Sequence, residues 1–246
     1  MEAKTGFVKL GKIFKMSKNI NNSFLPQMDI IEFFDSVYTK YERYWYSDLD
    51  EDRRYSVILN HSQNWDVLLK HINTTTPGVV LDLGAGEGTD AIKLALLGFE
   101  VDAVEGSAVG AEKIEAFSQK AKVKVNVFHT DVNDFEPKRM YDVVICNGLL
   151  HYIEDKHAIL RKIERATNKN GFGLLSLFSD FTPMPECHRV VNVYPDTENG
   201  IVQSFFDSSL WKTPYFQFQR NRLDISHPGF PKHYHSFIKM VVQKTE

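Results

Sequence analysis

The sequence predicts an α/β protein: a doubly wound, mostly parallel seven-stranded sheet with helices on both faces and an N-terminal helical lid. Three observations carry that expectation. Between residues 78 and 178, short apolar runs alternate with segments of helical period. A glycine-rich turn, Gly84-Ala-Gly86-Glu-Gly88, joins the first run to the first helix of that series. Two late stretches, 216–225 and 235–244, have strand character and read as an antiparallel pair.

Residues 1–27 are basic and then rich in Asn and Ser, which predicts a mobile arm ahead of one domain spanning 28–246. Residues 28–72 read as a helical lid. Phe34, Tyr38, Tyr41 and Trp45 recur at helical steps, and a second helix covers 52–72. Residues 78–178 read as the cofactor-binding core. Its first strand is GVVLDL (78–83), followed by a helix closed by Gly98. FEVDAVE (99–105) is the second strand, after which Ser107 is placed to cap the helix over 108–120. VKVNVFH (123–129) and YDVVICN (141–147) are the third and fourth strands. Ile159, Ile163 and Ala166 share one face of a helix over 155–167, and GFGLLSLF (171–178) is the fifth strand. Residues 179–246 form a substrate-side segment with a short helix near 205–212 and the last two strands.

A net charge of −3 argues against nucleic acid as a partner, because phosphate binding needs a concentrated basic surface. Two cysteines, Cys146 and Cys187, supply no disulfide framework and suggest a cytoplasmic home. No run approaches the ~18 apolar residues of a membrane span, and the basic N-terminus lacks the apolar stretch of a secretory signal. The oligomeric state is not legible.

Glycines between a strand and a helix let the backbone pass close to a ligand at the helix N-terminus. The dinucleotide pattern G-x-G-x-x-G would place its third glycine at residue 89, which is Thr89. Asp82, ending the first strand, suits a ligand with an ammonium group better than one with a pyrophosphate. Glu105, ending the second strand, suits ribose hydroxyls. A nucleoside with an amino group and no pyrophosphate describes S-adenosylmethionine. The same glycines also serve a turn alone, and Asp131 also suits a capping role.

At these residues the chain resembles the class I S-adenosylmethionine-dependent methyltransferases. VLDLGAGEG matches the family's first motif, VDAVEGS the second, FHTDVND the segment after the third strand and YDVVICNGLLHYI the fourth-strand motif. The resemblance implies a Rossmann-like fold and S-adenosylmethionine as cofactor. It implies that Asp82, Gly84 and Gly86 face the methionine part, Glu105 the ribose, and Asp131 and Val132 the adenine, with Ala85 and Gly106 also at the cofactor. Asn147 and Leu149 would line the transfer site. TNKNGFG stands where the family more often has Pro-Gly-Gly, a departure confined to a turn. The layout after the fifth strand is also similar to the small tellurite-resistance-protein-like branch, whose members differ in substrate.

The acceptor is expected to be a small molecule, methylated at O, N or S between the aromatic N-terminal helix and the segment after residue 178. Asp180, Cys187, His188, His227, His233 and His235 concentrate the usable chemistry there. A neutral acceptor must lose a proton, and a histidine suits that task. His151 is the first candidate base, followed by His233, with His188 and His227 behind them. His151 could equally be oriented by a backbone carbonyl. His233-x-His235 lacks further ligands at fixed spacing, so no metal is expected. Arg43 or Tyr46 could reach the cofactor carboxylate. Phe33, Tyr44 and Tyr46 are either pocket wall or core. Two other readings stay open: a non-catalytic cofactor-binding module or partner subunit, and an enzyme of different reaction type on the same cofactor site.

Overall fold

The computed structural model describes residues 28–45, 63–73, 75–182, 190–196, 200–224 and 233–246. In chain order the elements are α1 (Ile30–Lys40), α2 (Gln63–His71), β1 (Val79–Leu83), α3 (Thr89–Leu96), β2 (Glu100–Glu105), α4 (Ala108–Lys120), β3 (Val125–His129) and β4 (Tyr141–Asn147). A 3₁₀ turn (Leu150–Tyr152) precedes α5 (Lys156–Ala166), β5 (Thr167–Phe178), α6 (Ile201–Phe206), β6 (Trp211–Asp224) and β7 (His233–Lys244). The strands form one seven-stranded sheet in the order β3-β2-β1-β4-β5-β7-β6. The first five are parallel; β7 lies antiparallel to both β5 and β6.

Alternation along the strands sorts their side chains onto two faces, and each face is covered by helices. Leu81, Val144, Leu175, Ile238 and Met240 pack with Ile159 and Ile163 of α5 and with Ile201 and Phe205 of α6. On the other face Val80, Val101, Val143, Leu174 and Val241 pack with Trp65 and Leu68 of α2, Ala91 and Leu94 of α3, and Ile114 of α4. Helix α2 therefore belongs to the core of the sheet. The aromatic segment forms a third cluster with the chain after β5, in which Phe33, Val37, Tyr38 and Tyr44 are buried with Val191.

Helix α1 ends at Lys40, earlier than its aromatic spacing predicts, because tertiary bonds pull the next turn out. Tyr41 is extended, and its carbonyl accepts from Lys113 Nζ at 2.5 Å. The Tyr44 and Trp45 N–H groups donate to the Glu87 carboxylate at 2.9 and 3.2 Å. Helix α6 lies over residues 201–206 instead of 205–212, and β6 begins at Trp211, which pairs with Lys244 and packs edge-on against Phe205. Pro214 falls where the β6–β7 register shifts, a place that needs no ladder N–H. Ser107 caps α4 as expected, accepting from Gly110 N–H at 2.9 Å. Its hydroxyl donates to Asp35 of α1, which also accepts from Val109 N–H, so a carboxylate stands at the positive end of α4.

Among the described residues, no helix is long and apolar enough to cross a membrane.

Candidate functional site

In an open parallel sheet, ligands bind outside the carboxyl ends of the strands, where the strand order reverses. Here β1 lies between β2 and β4, and a cavity of about 370 Å³ opens at their ends. Its volume falls within the roughly 300–1,000 Å³ of small-ligand sites. Asp82, Gly84, Ala85, Gly86, Glu105, Gly106, Asp131, Val132, Asn147, Leu149 and His151 all line it. Four strand ends and their loops are thus brought to one place, as the motifs imply.

The glycine turn is built for close approach. Gly84 has φ +68°, and a Cβ there would stand 2.8 Å from Leu149 Cδ1. Gly86 has φ +59°, and a Cβ there would meet the Tyr38 hydroxyl at 3.0 Å. Both positions suit glycine alone. Gly84 and Ala85 donate their N–H groups to the Val104 carbonyl, which staples the turn to β2. Gly86 N–H donates to Glu105 Oε2 at 2.7 Å and Ser107 N–H to Oε1 at 2.8 Å.

Burial pushes the Glu105 carboxyl up to about 7, an effect held back by those backbone N–H groups. Asp82 is 2% exposed, and no described group donates to its Oδ2. Burial first, then Asp90 and Glu105, raise its carboxyl well above the usual range. An orphaned buried carboxylate oxygen is costly unless a ligand completes it. Asp131 also lines the cavity while Oδ1 accepts from Asn133 N–H at 2.7 Å, so the turn-forming and cavity-facing readings coexist. Buried Lys162 steadies that turn through the Val132 and Asn133 carbonyls.

Several cavity residues escape sequence reasoning. Asp90 reads as an ordinary acid in the first turn of a helix, yet it lies in the cavity and accepts from Asn147 Nδ2 at 2.8 Å. Ser176 Oγ in turn donates to Asn147 Oδ1, linking β5, β4 and α3 in one polar chain. Glu87, Lys239 and Arg222 also line the cavity, as do Phe34, Tyr38, Trp45, Tyr152, Phe178 and Phe237. The sequence signal for Lys239 is its place between Phe237 and Val241 on one face of a strand.

The structure separates the remaining candidates. Arg43 turns away from the cavity, its guanidinium 3.4 Å from the Phe117 ring centroid on α4. Phe33 and Tyr44 are core rather than pocket wall. His151 lies on the cavity wall, and Phe178 N–H donates to its Nδ1 at 3.3 Å. A backbone N–H can only donate, so the neutral ring keeps its proton on Nε2, a donor rather than a ready base. His233 is not among the described residues that line the cavity. Its Nε2 lies 2.9 Å from His235 Nε2, and the Phe178 ring stacks on both His235 and His151, at 4.4 and 3.8 Å, standing between them. Tyr46, Cys187, His188 and His227 lie outside the described residues, and Asp180 is exposed away from the cavity.

Comparisons with known proteins point the same way. The family model described as a methyltransferase domain matches residues 49–213. The chain is 26% identical over 142 residues to the ubiquinone biosynthesis O-methyltransferase of Rickettsia typhi, covering 56% of this chain and 58% of that enzyme. It spans about half the length of the curated relatives it matches. Among solved structures it is similar in fold to TehB from Haemophilus influenzae, with a TM-score of 0.61 at 19% identity over 73% of this chain and 62% of that one. Magnesium protoporphyrin IX methyltransferase (ChlM) from Synechocystis PCC 6803, solved with bound SAM, gives a TM-score of 0.53 at 16% identity, covering 97% and 91%.

Proposed function

The chain belongs to the methyltransferase-domain family, and from that premise we propose that it is a class I enzyme moving a methyl group from S-adenosylmethionine to an oxygen of a small-molecule acceptor. The observation that carries this reading is the buried Asp82 carboxylate, one oxygen without a partner, beside a glycine turn and across from Glu105. That set suits an ammonium group and a ribose on one ligand. S-adenosylmethionine, when bound, supplies an activated methyl group on a sulfonium. Asp82 would hold its amino group, Glu105 its ribose hydroxyls, and Asp131 with the Val132 N–H its adenine.

The protein's own contribution is positioning and exclusion of water. Asn147, held between Asp90 and Ser176, fixes the floor where donor and acceptor meet. Phe34, Tyr38 and Trp45 wall the cavity from the side of α1, so residues 28–45 act as its cover. His151, with its proton on Nε2, would orient an acceptor oxygen by donating to it. The choice of oxygen is supported by the O-methyltransferase names of the curated relatives. The proline-bearing segment after residue 178 and a histidine, His227, before the last strand support a place near the tellurite-resistance-protein-like branch. The cysteine content supports a cytoplasmic home.

The amino-group contact is open to a direct test by calorimetry with S-adenosylhomocysteine and its desamino analogue. One charge-assisted bond contributes about 1.5–3 kcal/mol, so Asp82→Asn is expected to weaken S-adenosylhomocysteine binding about 10- to 150-fold. The desamino analogue should bind both proteins alike. Unchanged affinity of the variant for the amine-bearing ligand would refute the assignment.

A further inference from the structure

The cavity is electrically two-ended. Asp82 of β1, Glu105 at the end of β2, Asp90 in the first turn of α3 and Asp131 after β3 stand at one end, while Lys239 and Arg222 enter from β7 and β6. We propose that this basic end is an anion site, in which Lys239, with Arg222 beside it, holds an anionic oxygen (carboxylate or phenolate) of the methyl acceptor. The assignment of that anion to the acceptor rests on the methyl-transfer reading of the cavity.

The argument begins with register. Asn147 on β4 pairs with Ser176 on β5, Ser176 with Lys239 on β7, and Lys239 with Gln217 on β6. Partners across a ladder share a face, so Lys239 stands in the row that forms the cavity floor. One row deeper the same face is apolar, running Ile145, Leu174 and Val241. Lys239 is therefore a cation set where an apolar face turns into a binding surface.

Lys239 is 7% exposed, yet no carboxylate, carbonyl or hydroxyl among the described residues accepts from its amine; the Phe237 ring lies 5.6 Å away. Other lysines drawn into the fold are saturated. Lys162 donates to the Val132 and Asn133 carbonyls, and Lys113 to Glu87 and the Tyr41 carbonyl. A buried ammonium without an acceptor is costly, and an anion from outside removes that cost. Burial, then repulsion from Arg222, lowers the Lys239 amine to about 8, as expected of a cation lacking a counter-charge. A neutral acceptor would leave the Lys239 amine uncompensated, and a cationic one would be repelled.

The consequence reaches the chemistry. An acceptor oxygen held as an anion brings no proton to remove. A histidine base is then unnecessary, in keeping with the donor form of His151.

The test uses the full chain, with calorimetry for two matched probe pairs: benzoate against benzamide, and 4-nitrophenolate against 4-nitroanisole. S-adenosylhomocysteine affinity is measured on the same samples. At least one anion is expected to bind tenfold or more tightly than its neutral partner, and which pair responds distinguishes a carboxylate from a phenolate site. Lys239→Met should erase that preference, and Lys239→Arg should keep most of it. Equal binding of anion and neutral partner in both pairs, or a preference that survives Lys239→Met, would overturn the proposal. The wild-type comparison decides even if Lys239→Met fails to fold. S-adenosylhomocysteine binding without any anion preference would refute this site and leave the donor reading standing. An anion preference without nucleoside binding would do the reverse.

Discussion

Glu105→Ala is expected to remove S-adenosylhomocysteine binding almost entirely. Two charge-assisted bonds to ribose are lost at about 1.5–3 kcal/mol each, less what water returns. The loss reaches beyond the ligand, because Glu105 also accepts from the Gly86 and Ser107 N–H groups and so shapes the turn that receives the nucleoside. Glu105→Gln separates the two effects, since it keeps an acceptor of similar shape and removes the charge.

Titration gives the same site a second readout. Burial lifts the folded-state carboxyl to about 7, above its unfolded value. The folded protein therefore keeps a proton that the unfolded chain releases. Stability of the unliganded protein should fall as pH rises from about 4.3, the ordinary glutamate value, to the folded value, and this contribution should then level off. Ribose hydroxyls donate to the ionised form, so ligand affinity should rise with pH through the folded value. The raised Asp82 carboxyl contributes with the same sign, because an ammonium ligand also favours the anion. Calorimetry on either side of neutrality checks both proteins. A wild-type affinity independent of pH, or a Glu105→Ala variant that binds like wild type, would show that Glu105 does not hold the ribose.

Glu87→Ala should produce the largest loss of stability. Glu87 is 1% exposed and accepts from the Tyr44 and Trp45 N–H groups and from Lys113 Nζ at 2.7 Å. Removing it takes the acceptor from two N–H groups and leaves the half-buried Lys113 ammonium with the Tyr41 carbonyl but no carboxylate. Breaking a buried ion pair in this way costs about 3–5 kcal/mol. For a chain of this size, that corresponds to a Tm lower by about 6–20 °C. The loss should begin in the cover, with faster hydrogen exchange over residues 41–45 than in β1 or β4. A thermal scan within a degree or two of wild type would mean that Glu87 is not the anchor of the aromatic segment.

How much of this was legible in the sequence depended on whether the determining contacts were local. The strand, glycine turn and helix of residues 78–98 announce themselves within twenty residues, and so do the acids that end β1 and β2. Asp82, Glu105 and Asp131 follow from position within a single strand–loop unit. Lys239 and Ser176 do not, because their neighbourhood is set by the antiparallel register of β5 with β7, some sixty residues apart in the chain. Glu87 resembles a solvated residue of a turn until the segment 43 residues before it folds over its carboxylate. The same bonds explain why the aromatic period of residues 34–45 overstates α1. The aromatic spacing extends the helix over Tyr44 and Trp45, but their N–H groups have a carboxylate to meet elsewhere. Residue type and sequence neighbours place His233 at the site, whereas in the fold it meets His235 behind Phe178.

Methyl transfer itself is the central claim. The purified chain is incubated with S-adenosylmethionine carrying a deuterated methyl group, together with a panel of aromatic acids and phenols. Mass spectrometry then follows S-adenosylhomocysteine and the labelled products. The account predicts one labelled O-methyl product formed in step with S-adenosylhomocysteine, and neither formed by Glu105→Ala. A protein that binds S-adenosylhomocysteine tightly yet releases none from S-adenosylmethionine above a heat-inactivated control, with every acceptor in the panel, would contradict it and leave a cofactor-binding module in place of an enzyme.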